Sequence, residues 1–222
     1  MARTPSFDRE TVVRAARGVF WDVGYDAASI PALEQATGLR RSSIYHAFGS
    51  KRGLFDAAVQ SYLDEVIRPR LAPLRADPVA PDAVLDYLDG LHEAIAAPGS
   101  APSRHGCLLI NAAGAPIGHD ETVSATIASY RGELRSAIGR GVRARAAARD
   151  DRPGTTMSDD RRHEDQAHQS PVHQDPAHED ADDLLADAVT GLVIAAFALV
   201  RVSPPEAAAS LRTARGLVLA VR

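Results

Sequence analysis

The stretch SIPALEQATGLRRSSIYHAFGSKRGL, residues 29–54, decides the fold of this chain. Ser29 is a good N-cap for a short helix over residues 30–37, and Gly38 suits the left-handed turn that ends such a helix. A second short helix over residues 40–47 follows, and a Gly-Ser pair ends it. Two short helices joined by a glycine turn predict a helix-turn-helix.

The same two helices divide into an apolar side and a polar side. The apolar side chains are expected to form a small core that fixes the crossing angle, and they are Leu33, Ala36, Leu39, Ile44 and Phe48. The opposite side of the second helix is left facing outward, and it carries Arg40, Arg41, Ser42, Ser43, Tyr45 and His46. Because the major groove of DNA admits one α-helix, this outward side is a candidate for base contacts.

Helical patterns continue on both sides of this stretch, and no segment alternates with the period of two that a strand needs. Alanine is abundant and aromatic residues make up only 5% of the chain, which favours helices over sheets. We expect an all-α fold in which Pro69 and Pro73 end or kink the fourth helix. Further helices are predicted over residues 8–23, from 51 into the 60s, over 81–97, 104–115 and 120–148, and twice after residue 184.

The distribution of charge favours a nucleic-acid partner, although the whole chain carries a net charge of −4. Residues 149–183 hold eleven acidic residues and four arginines, a local net charge of −7 that leaves +3 for the rest of the chain. A basic group lies beside the predicted helix-turn-helix and consists of Arg40, Arg41, Lys51 and Arg52. Such a local basic surface is typical of DNA-binding proteins.

Residues 149–180 have no helical periodicity and consist mainly of Asp, His, Gln, Pro and Ser. So little apolar surface does not offset the entropy of ordering, and we expect a disordered, acidic, histidine-rich linker. Metal capture is an alternative, because histidine recurs there at intervals of five. This spacing does not place the side chains on one helix face, so we expect no metal site. The histidines are His163, His168, His173 and His178.

Neither a targeting segment nor a membrane span is predicted. Residues 1–9 carry charge and a proline in place of the apolar core of a signal peptide. The longest apolar stretch, residues 188–200, has 13 residues, which is too short to cross a bilayer. The single cysteine, Cys107, excludes an intramolecular disulfide. We therefore expect a cytoplasmic protein with no membrane partner.

Residues 8–59 resemble the DNA-binding domain of the TetR/AcrR family of transcriptional regulators. The resemblance implies an all-α homodimer, with a three-helix helix-turn-helix domain over residues 1–55 and a helical ligand-binding and dimerisation domain over residues 56–222. It also implies a repressor that a small-molecule ligand releases from a palindromic operator on double-stranded DNA, with no enzymatic activity and no cofactor. The residues that carry the resemblance are Gly38-Leu39, Ile44-Tyr45, Phe48, Ser50-Lys51 and Leu54.

Contacts with bases and contacts with phosphates are expected from different side chains. Arg40 and Arg41 are the main candidates for base contacts, because a guanidinium can bond to two acceptors of guanine. Arg40 stands where the family has Ser or Thr, so its side chain cannot cap the second helix. The resemblance implies phosphate contacts from Tyr45 and Lys51, and Ser29 at a helix N-terminus is a further phosphate candidate. Weaker candidates for base contacts are Ser42, Ser43 and His46.

The ligand pocket implied by the resemblance is expected between residues 55 and 147. Its candidate residues combine apolar surface with a few polar groups, as suits a small organic molecule, and each has a place in the hydrophobic core as its alternative. A different class of function, a DNA-binding protein with a structural role, needs no ligand. The pocket candidates are Tyr62, Tyr87, Leu91, His92, Cys107, Leu108, Asn111 and Tyr130.

Cys107 follows Arg104 and His105 at the start of a predicted helix. A helix dipole and nearby cations can lower the pKa of a thiol, which raises a redox or electrophile sensor as an alternative to a plain buried thiol. An enzyme that uses Cys107 with His105 as its base is a further alternative. Against it, residues two apart do not face each other on a helix, and no third orienting group can be named.

Apolar residues after position 184 keep a 4-3 spacing, the pattern of helices that pack at a shallow angle. Such a stripe fits either internal core packing or a two-fold interface to which each chain contributes two helices. The small residues Gly191, Ala195 and Ala198 would let a partner helix approach closely. We expect the interface, formed by Leu185, Val189, Leu192, Ala196, Leu199, Leu211, Ala214 and Val218.

Overall fold

Eleven α-helices, one π turn and one 3-10 turn form the regular structure of residues 7–150 and 176–220, the residues that this computed structural model describes. No strand occurs in those two ranges, and the predicted all-α fold is confirmed. The helices are α1 (Arg9–Ala27), α2 (Ile30–Thr37), α3 (Arg41–Phe48), α4 (Lys51–Tyr62), α5 (Arg68–Arg75), α6 (Ala83–Ala96), α7 (Ala101–His105), α8 (Leu108–Ala113), α9 (Glu121–Asp150), α10 (Pro176–Leu199) and α11 (Pro204–Ala220).

Side-chain caps set the boundaries of the first helices. The Asp8 carboxylate accepts a hydrogen bond from the Glu10 amide at 3.2 Å, and the Ser29 hydroxyl accepts one from the Ala32 amide, also at 3.2 Å. The Ser50 hydroxyl does the same for the amide of Gly53 at 3.0 Å. Each cap satisfies an amide that has no partner within its own helix. The predicted bounds of α2 and α3 are confirmed to within one residue.

Helices α1, α2 and α3 form the N-terminal unit, which packs against α4. Leu33 and Ile44 are completely buried at its centre, and Leu39 and Phe48 are partly buried against them. Ala36, which we expected in this core, is exposed. The inward face of α2 repeats at positions 30, 33 and 37, so Ala36 falls on the solvent side of the helix.

The two prolines after α4 do not end the helical path, so of the two predicted outcomes, an end or a kink, the first is wrong. A π turn, Leu63–Ile67, joins α4 to α5, and the Arg68 amide donates to the Leu63 carbonyl five residues back. Pro69 follows directly, and Pro73 lies inside α5. A proline ring normally collides with the carbonyl four residues before it. In the π turn the hydrogen bonds run from an amide to the carbonyl five residues back instead of four. The backbone before Pro69 is therefore wider than in a regular α-helix, and the chain stays helical.

The predicted helix over residues 104–115 is two helices, α7 and α8, separated at Gly106 and Cys107. Gly106 has a φ of 69°, and a Cβ atom there would lie 2.8 Å from the Phe197 carbonyl oxygen of α10. The Gly106 carbonyl accepts a hydrogen bond from the Trp21 indole at 3.1 Å. Glycine is therefore required at the point where α1 and α10 both approach this break.

The remaining helices form a bundle in which α10 packs against α9 and α11, and α11 packs against α6. The inward face of the long helix α9 carries the buried side chains of Val123, Tyr130, Leu134, Ile138 and Val142. One hydrophobic cluster runs from Phe20 in the N-terminal unit to Val218 in α11. The boundary predicted at residue 55 therefore falls inside α4 and inside a continuous core.

The 4-3 stripe of the last two helices belongs mainly to the core of the single chain. Its members Val189, Ala196, Leu211, Ala214 and Val218 are at most 1% exposed, so they offer no surface to a partner and this part of the predicted interface is wrong. Large aliphatic side chains at 4-3 spacing mark the inward face of a helix, whichever partner covers it. Of the predicted interface residues, Leu185 and Leu192 are partly buried and Leu199 is exposed.

The two ends of the segment predicted as a linker, residues 149–180, are helical. Residues 149–150 belong to α9, and α10 begins at Pro176, a residue suited to the first turn of a helix. The rest of the linker, with His163, His168 and His173, lies outside the described residues. In residues 7–150 and 176–220 no three His, Cys, Asp or Glu side chains are grouped to hold a metal. No helix in that part of the chain is long and apolar enough to cross a membrane.

Candidate nucleic-acid interface

Helix α3 presents a polar surface on the side opposite the buried Ile44. We call this the α3 surface, and its exposed members are Arg40, Arg41, Ser42, Tyr45 and His46. Ser43, also predicted to face outward, is half-buried. Two arginines, a hydroxyl, a phenol and an imidazole on one short helix supply hydrogen-bond donors in the variety that base edges and phosphates accept.

Glu34 takes over the capping of α3 that Arg40 cannot provide. Arg40 occupies the N-cap position and makes no capping hydrogen bond with its side chain. The Glu34 carboxylate in α2 instead accepts the backbone amide of Arg41 at 2.6 Å. This contact fixes α3 against α2 and leaves the Arg40 guanidinium uncommitted. Local capping rules do not find it, because the acceptor lies seven residues before the amide.

The guanidinium of Arg41 lies over the ring of Tyr45, with its Cζ atom 5.3 Å from the ring centroid. The two residues are one helical turn apart, and the cation–π contact holds both on the outward face. In the part of the chain that the structure describes, Arg40 and Arg41 form no ion pair. Both positive charges are thus available to an anionic partner.

The predicted basic group of four separates into two kinds of residue. The Lys51 ammonium lies 4.6 Å from the ring centroid of Tyr25 and donates to the Asp26 carbonyl at 3.4 Å. It forms no ion pair with an acid in residues 7–150 or 176–220. Arg52, by contrast, pairs with Asp56 at 2.8 Å and with Asp120 at 2.6 Å. Arg52 therefore belongs to the junction between α4 and α9. Its predicted membership of the basic group is wrong, because two carboxylates neutralise its charge.

The ion pair of Arg52 with Asp120 also shows in the acidity of the carboxyl group. Hydrogen bonding from Arg52 lowers the pKa of Asp120 well below its usual range, and backbone amides at the start of α9 act in the same direction. Asp120 accepts from the amides of Thr122 and Val123 at 2.9 and 3.2 Å and thereby caps α9. One carboxylate thus joins the first residues of α4 to the long helix of the bundle.

Ser29, the remaining candidate for DNA contact, is exposed at the start of α2. Its hydroxyl oxygen is occupied by the Ala32 amide, which leaves the hydroxyl proton free to donate. A phosphate at this helix N-terminus would also meet the positive end of the helix dipole.

Five of the eight predicted pocket residues line one enclosed cavity of about 20 Å³, among α4, α6, α8 and α9. They are Tyr62, Tyr87, Leu91, Cys107 and Tyr130, and the cavity is completed by Val66, Ile67, Arg70, Pro102 and Phe197, which sequence reasoning missed. The other three predicted residues do not line it. Leu108 is buried in the core, Asn111 donates to the His105 carbonyl at 2.7 Å, and His92 is partly buried on α6.

An open groove of about 350 Å³ adjoins this cavity and shares Arg70, Tyr87 and Leu91 with it. The groove runs between α5 and α6, and its other walls are Pro73, Ala80, Ala83, Asp86 and Gly90. Its volume is in the range of sites that hold small organic ligands.

Cys107 is a buried free thiol. Burial raises its pKa, and hydrogen bonds with Tyr62 and Tyr130 only partly oppose that rise. This shift of the thiol pKa is opposite in direction to the lowering that a helix dipole and nearby cations would give, because desolvation of the thiolate outweighs them. His105 lies beside Asp22, with 3.1 Å between Nδ1 and Oδ1.

The cavity is connected to the N-terminal unit by aromatic contact. The ring of Tyr62 meets the ring of Trp21 edge to face, with 4.9 Å between centroids. Trp21 also donates to the Gly106 carbonyl, next to Cys107. A change in the position of Tyr62 therefore acts directly on α1.

Comparisons with known proteins agree with this geometry. Residues 12–58 match the family of bacterial regulatory proteins, tetR family. The chain is 30% identical over 142 residues to the uncharacterized HTH-type transcriptional regulator YezE of Bacillus subtilis (strain 168), across 64% of this chain and 72% of YezE. It is 31% identical over 110 residues to the HTH-type transcriptional repressor ComR of Escherichia coli (strain K12), across 49% of this chain and 51% of ComR.

A solved structure extends the similarity over the whole chain. A cysteine mutant of the TetR family transcriptional regulator CifR, complexed with 26-bp double-strand operator DNA, superposes with a TM-score of 0.70 at 26% identity. The match covers 99% of this chain and 100% of the CifR chain. Together with the helix-turn-helix formed by α2 and α3, these matches show that the chain belongs to the TetR family and is a DNA-binding regulator of transcription, not an enzyme.

Proposed function

We propose that this regulator is a repressor that binds a palindromic operator as a homodimer and is released from it by a small organic ligand. The observation that carries the proposal is the α3 surface, where Arg40 and Arg41 form no ion pair with the described residues and Arg41 lies over the ring of Tyr45. Trp21 connects the N-terminal unit to a wall of the cavity. Residues 1–55 would bind DNA, and residues 56–222 would bind the ligand and the partner subunit. Repression is the activity named for the relative ComR.

In the proposed complex α3 lies in the major groove. Arg40 and Arg41 contact base edges, because neither has a counter-ion in the described residues and each can bond two acceptors of guanine. Lys51, Tyr45 and Ser29 contact phosphates on either side and fix the position of the helix without sensing sequence. Ser42, Ser43 and His46 supply weaker contacts with bases.

The proposed dimer forms through the outward faces of α10 and α11. On α10 this face carries Leu184, Gly191 and Ala198, and on α11 it carries Gly216 and Leu217, all exposed. A Cβ atom added at Gly191 or Gly216 would meet no atom within 4 Å, so a second chain has room to approach there. To bind two half-sites of a palindrome, a dimer with a two-fold axis has to hold its two α3 helices about 34–36 Å apart, one turn of DNA.

The proposed release is a shift between two populations. In one conformation the two α3 helices fit the operator, and in the other their spacing is wrong for it. A ligand that binds the second conformation more tightly increases its population and so releases the DNA. Tyr62 supports this route, because it lines the cavity on one side and contacts Trp21 of α1 on the other.

Selection of bound sequences from random double-stranded DNA, with the full chain at low ionic strength, tests the proposal. We expect enrichment of an inverted repeat and a molar mass of two chains in solution. A monomer that enriches no sequence would contradict the proposal. A dimer that enriches a repeat but responds to no small molecule would instead support a structural DNA-binding role without a ligand.

A further inference from the structure

We propose that the ligand is a small monocarboxylic acid, with its carboxylate bound by Arg70 and Tyr87 and its apolar part in the groove between α5 and α6. The inference rests on the proposed function, since it names the chemical class that the sensing site takes.

Arg70 stands apart from the other arginines of α5. Arg68 pairs with Asp64 and Glu133, and Arg75 pairs with Glu133. Arg70 makes no ion pair and no hydrogen bond within residues 7–150 and 176–220, although it is partly buried. A guanidinium that faces a cavity with five unused donors is complementary to a carboxylate, which can accept two of them in parallel.

Tyr87 adds a second donor at the same position. Its hydroxyl makes no hydrogen bond to the described residues, and the side chain lies at the boundary that the groove and the enclosed cavity share. Arg70 and Tyr87 both line the groove and the enclosed cavity. Burial raises the pKa of Tyr87, and the positive charge of Arg70 opposes the rise. At neutral pH both groups donate, so this pair favours an acceptor-only anion over an amine or an alcohol.

The volumes decide where the rest of the ligand lies. The enclosed cavity beyond Tyr87 holds about 20 Å³, room for little more than one water molecule. The groove on the other side holds about 350 Å³ and has apolar walls at Pro73, Ala83 and Leu91. The carboxylate therefore binds at the boundary, and the hydrocarbon part extends outward along the groove.

Asp86 limits the ligand to one negative charge. It lies in the wall of the groove and has no ion-pair partner in the part of the chain that is described. A second carboxylate on the ligand would have to approach this acid, and like charges brought together oppose binding. The site therefore disfavours dicarboxylates of the same chain length.

The proposed binding position is also connected to the N-terminal unit through side-chain contacts. Arg70 and Tyr87 line the same cavity as Tyr62, whose ring contacts Trp21. An acid that draws Arg70 and Tyr87 together changes the space left for Tyr62.

Calorimetric titration of the full chain without DNA tests the inference, with butyrate, hexanoate, octanoate and decanoate as probes. We expect at least one acid to bind about tenfold more tightly than the alcohol, the amine and the dicarboxylate of its own length. Arg70→Gln should weaken that acid about 10- to 100-fold, since hydrogen bonds to charged groups are worth about that ratio. Tyr87→Phe should weaken it several-fold. Arg201→Gln, which removes an exposed arginine from the turn before α11, should leave its affinity unchanged.

Two outcomes would overturn the inference, and neither needs a stable variant. If no acid binds more tightly than its own alcohol, or if the dicarboxylate binds as well as the monocarboxylate, the assigned class is wrong. Arg70→Lys keeps the charge without the planar fork and should give an intermediate affinity. Operator binding is measured separately by fluorescence anisotropy without acid. Intact operator binding with no acid binding rejects this inference alone, whereas absent operator binding rejects the proposed function.

Discussion

Arg41 and Lys51 are both cations near the DNA-facing side, but their surroundings suit them to different tasks. Arg41 lies on the exposed face of α3, and its planar guanidinium is aligned over the ring of Tyr45. Lys51 begins α4, where its ammonium is held over the ring of Tyr25. A guanidinium presents a fork that matches two acceptors of one base, whereas an ammonium acts as a point charge. Base preference should therefore depend on Arg41, and general affinity on Lys51.

Arg41→Ala is expected to lower the preference for the selected operator over a scrambled duplex, by about 1–3 kcal/mol for each lost base contact. Lys51→Ala should weaken both duplexes equally and reduce the slope of log affinity against log salt by about two in a dimer. Fluorescence anisotropy over a range of salt concentrations measures both quantities. Arg201→Ala, far along the chain, serves as the charge control. Equal effects of the two changes on every duplex would contradict the division of roles.

At the scale of helices, the sequence predicted the N-terminal unit well, because capping and turn residues mark the ends of its helices. Ser29, Gly38 and Ser50 each satisfy or permit a specific backbone geometry, so the ends of α2 and α3 are visible without tertiary contacts. The break between α7 and α8 was not visible, since Gly106 lies beside an apolar run that continues the helical pattern. What imposes the break is the approach of Phe197 and Trp21, both more than 80 residues away.

The candidate cavity was predicted in part for a similar reason. Tyr62, Tyr87 and Tyr130 combine a ring with a hydroxyl, which makes them recognisable as pocket residues. Arg70 was missed, because a charged residue on a helix is normally solvated, and only the structure shows that it has no counter-ion among the described residues. The 4-3 stripe of α10 and α11 misled, because an apolar stripe has the same spacing whether its own chain or a partner covers it.

Gly106→Ala and Gly132→Ala should change stability in opposite directions. Alanine at 106 would adopt a φ of 69° and collide with the Phe197 carbonyl, which we expect to cost about 2–4 kcal/mol. Alanine at 132 lies in open space on α9 and should stabilise the helix by about 0.5–1 kcal/mol. Urea unfolding at one fixed protein concentration measures both changes. A Gly106→Ala variant as stable as the parent would show that the break between α7 and α8 is not constrained as described.

For the whole molecule, the proposed function depends on how two copies would pack together. The outward faces of α10 and α11 combine glycine and alanine with leucine, and Leu217 is 38% exposed in the single chain. Small residues let helix backbones approach, and exposed leucines supply apolar area to bury. A palindrome can be bound by two α3 helices only if this contact holds them at a fixed separation.

Leu217→Glu is expected to convert the dimer to a monomer, because a carboxylate at the contact would be buried without a partner. Affinity for the inverted repeat should then fall about 100-fold or more, since the second half-site is no longer bound by a tethered copy. Light scattering gives the molar mass, and anisotropy gives the affinity. Val23→Glu replaces another exposed aliphatic, 47% exposed on α1, and should remain dimeric. A dimeric Leu217→Glu variant would place the contact elsewhere.

Trp21 is the only tryptophan in the chain, and it stands between the DNA-binding helices and the cavity, with its indole bonded to Gly106 and its ring against Tyr62. All indole emission from the purified protein consequently originates at that one junction. The molecule thus carries a built-in optical probe for motion between its two halves, and no dye has to be attached to follow such motion in real time.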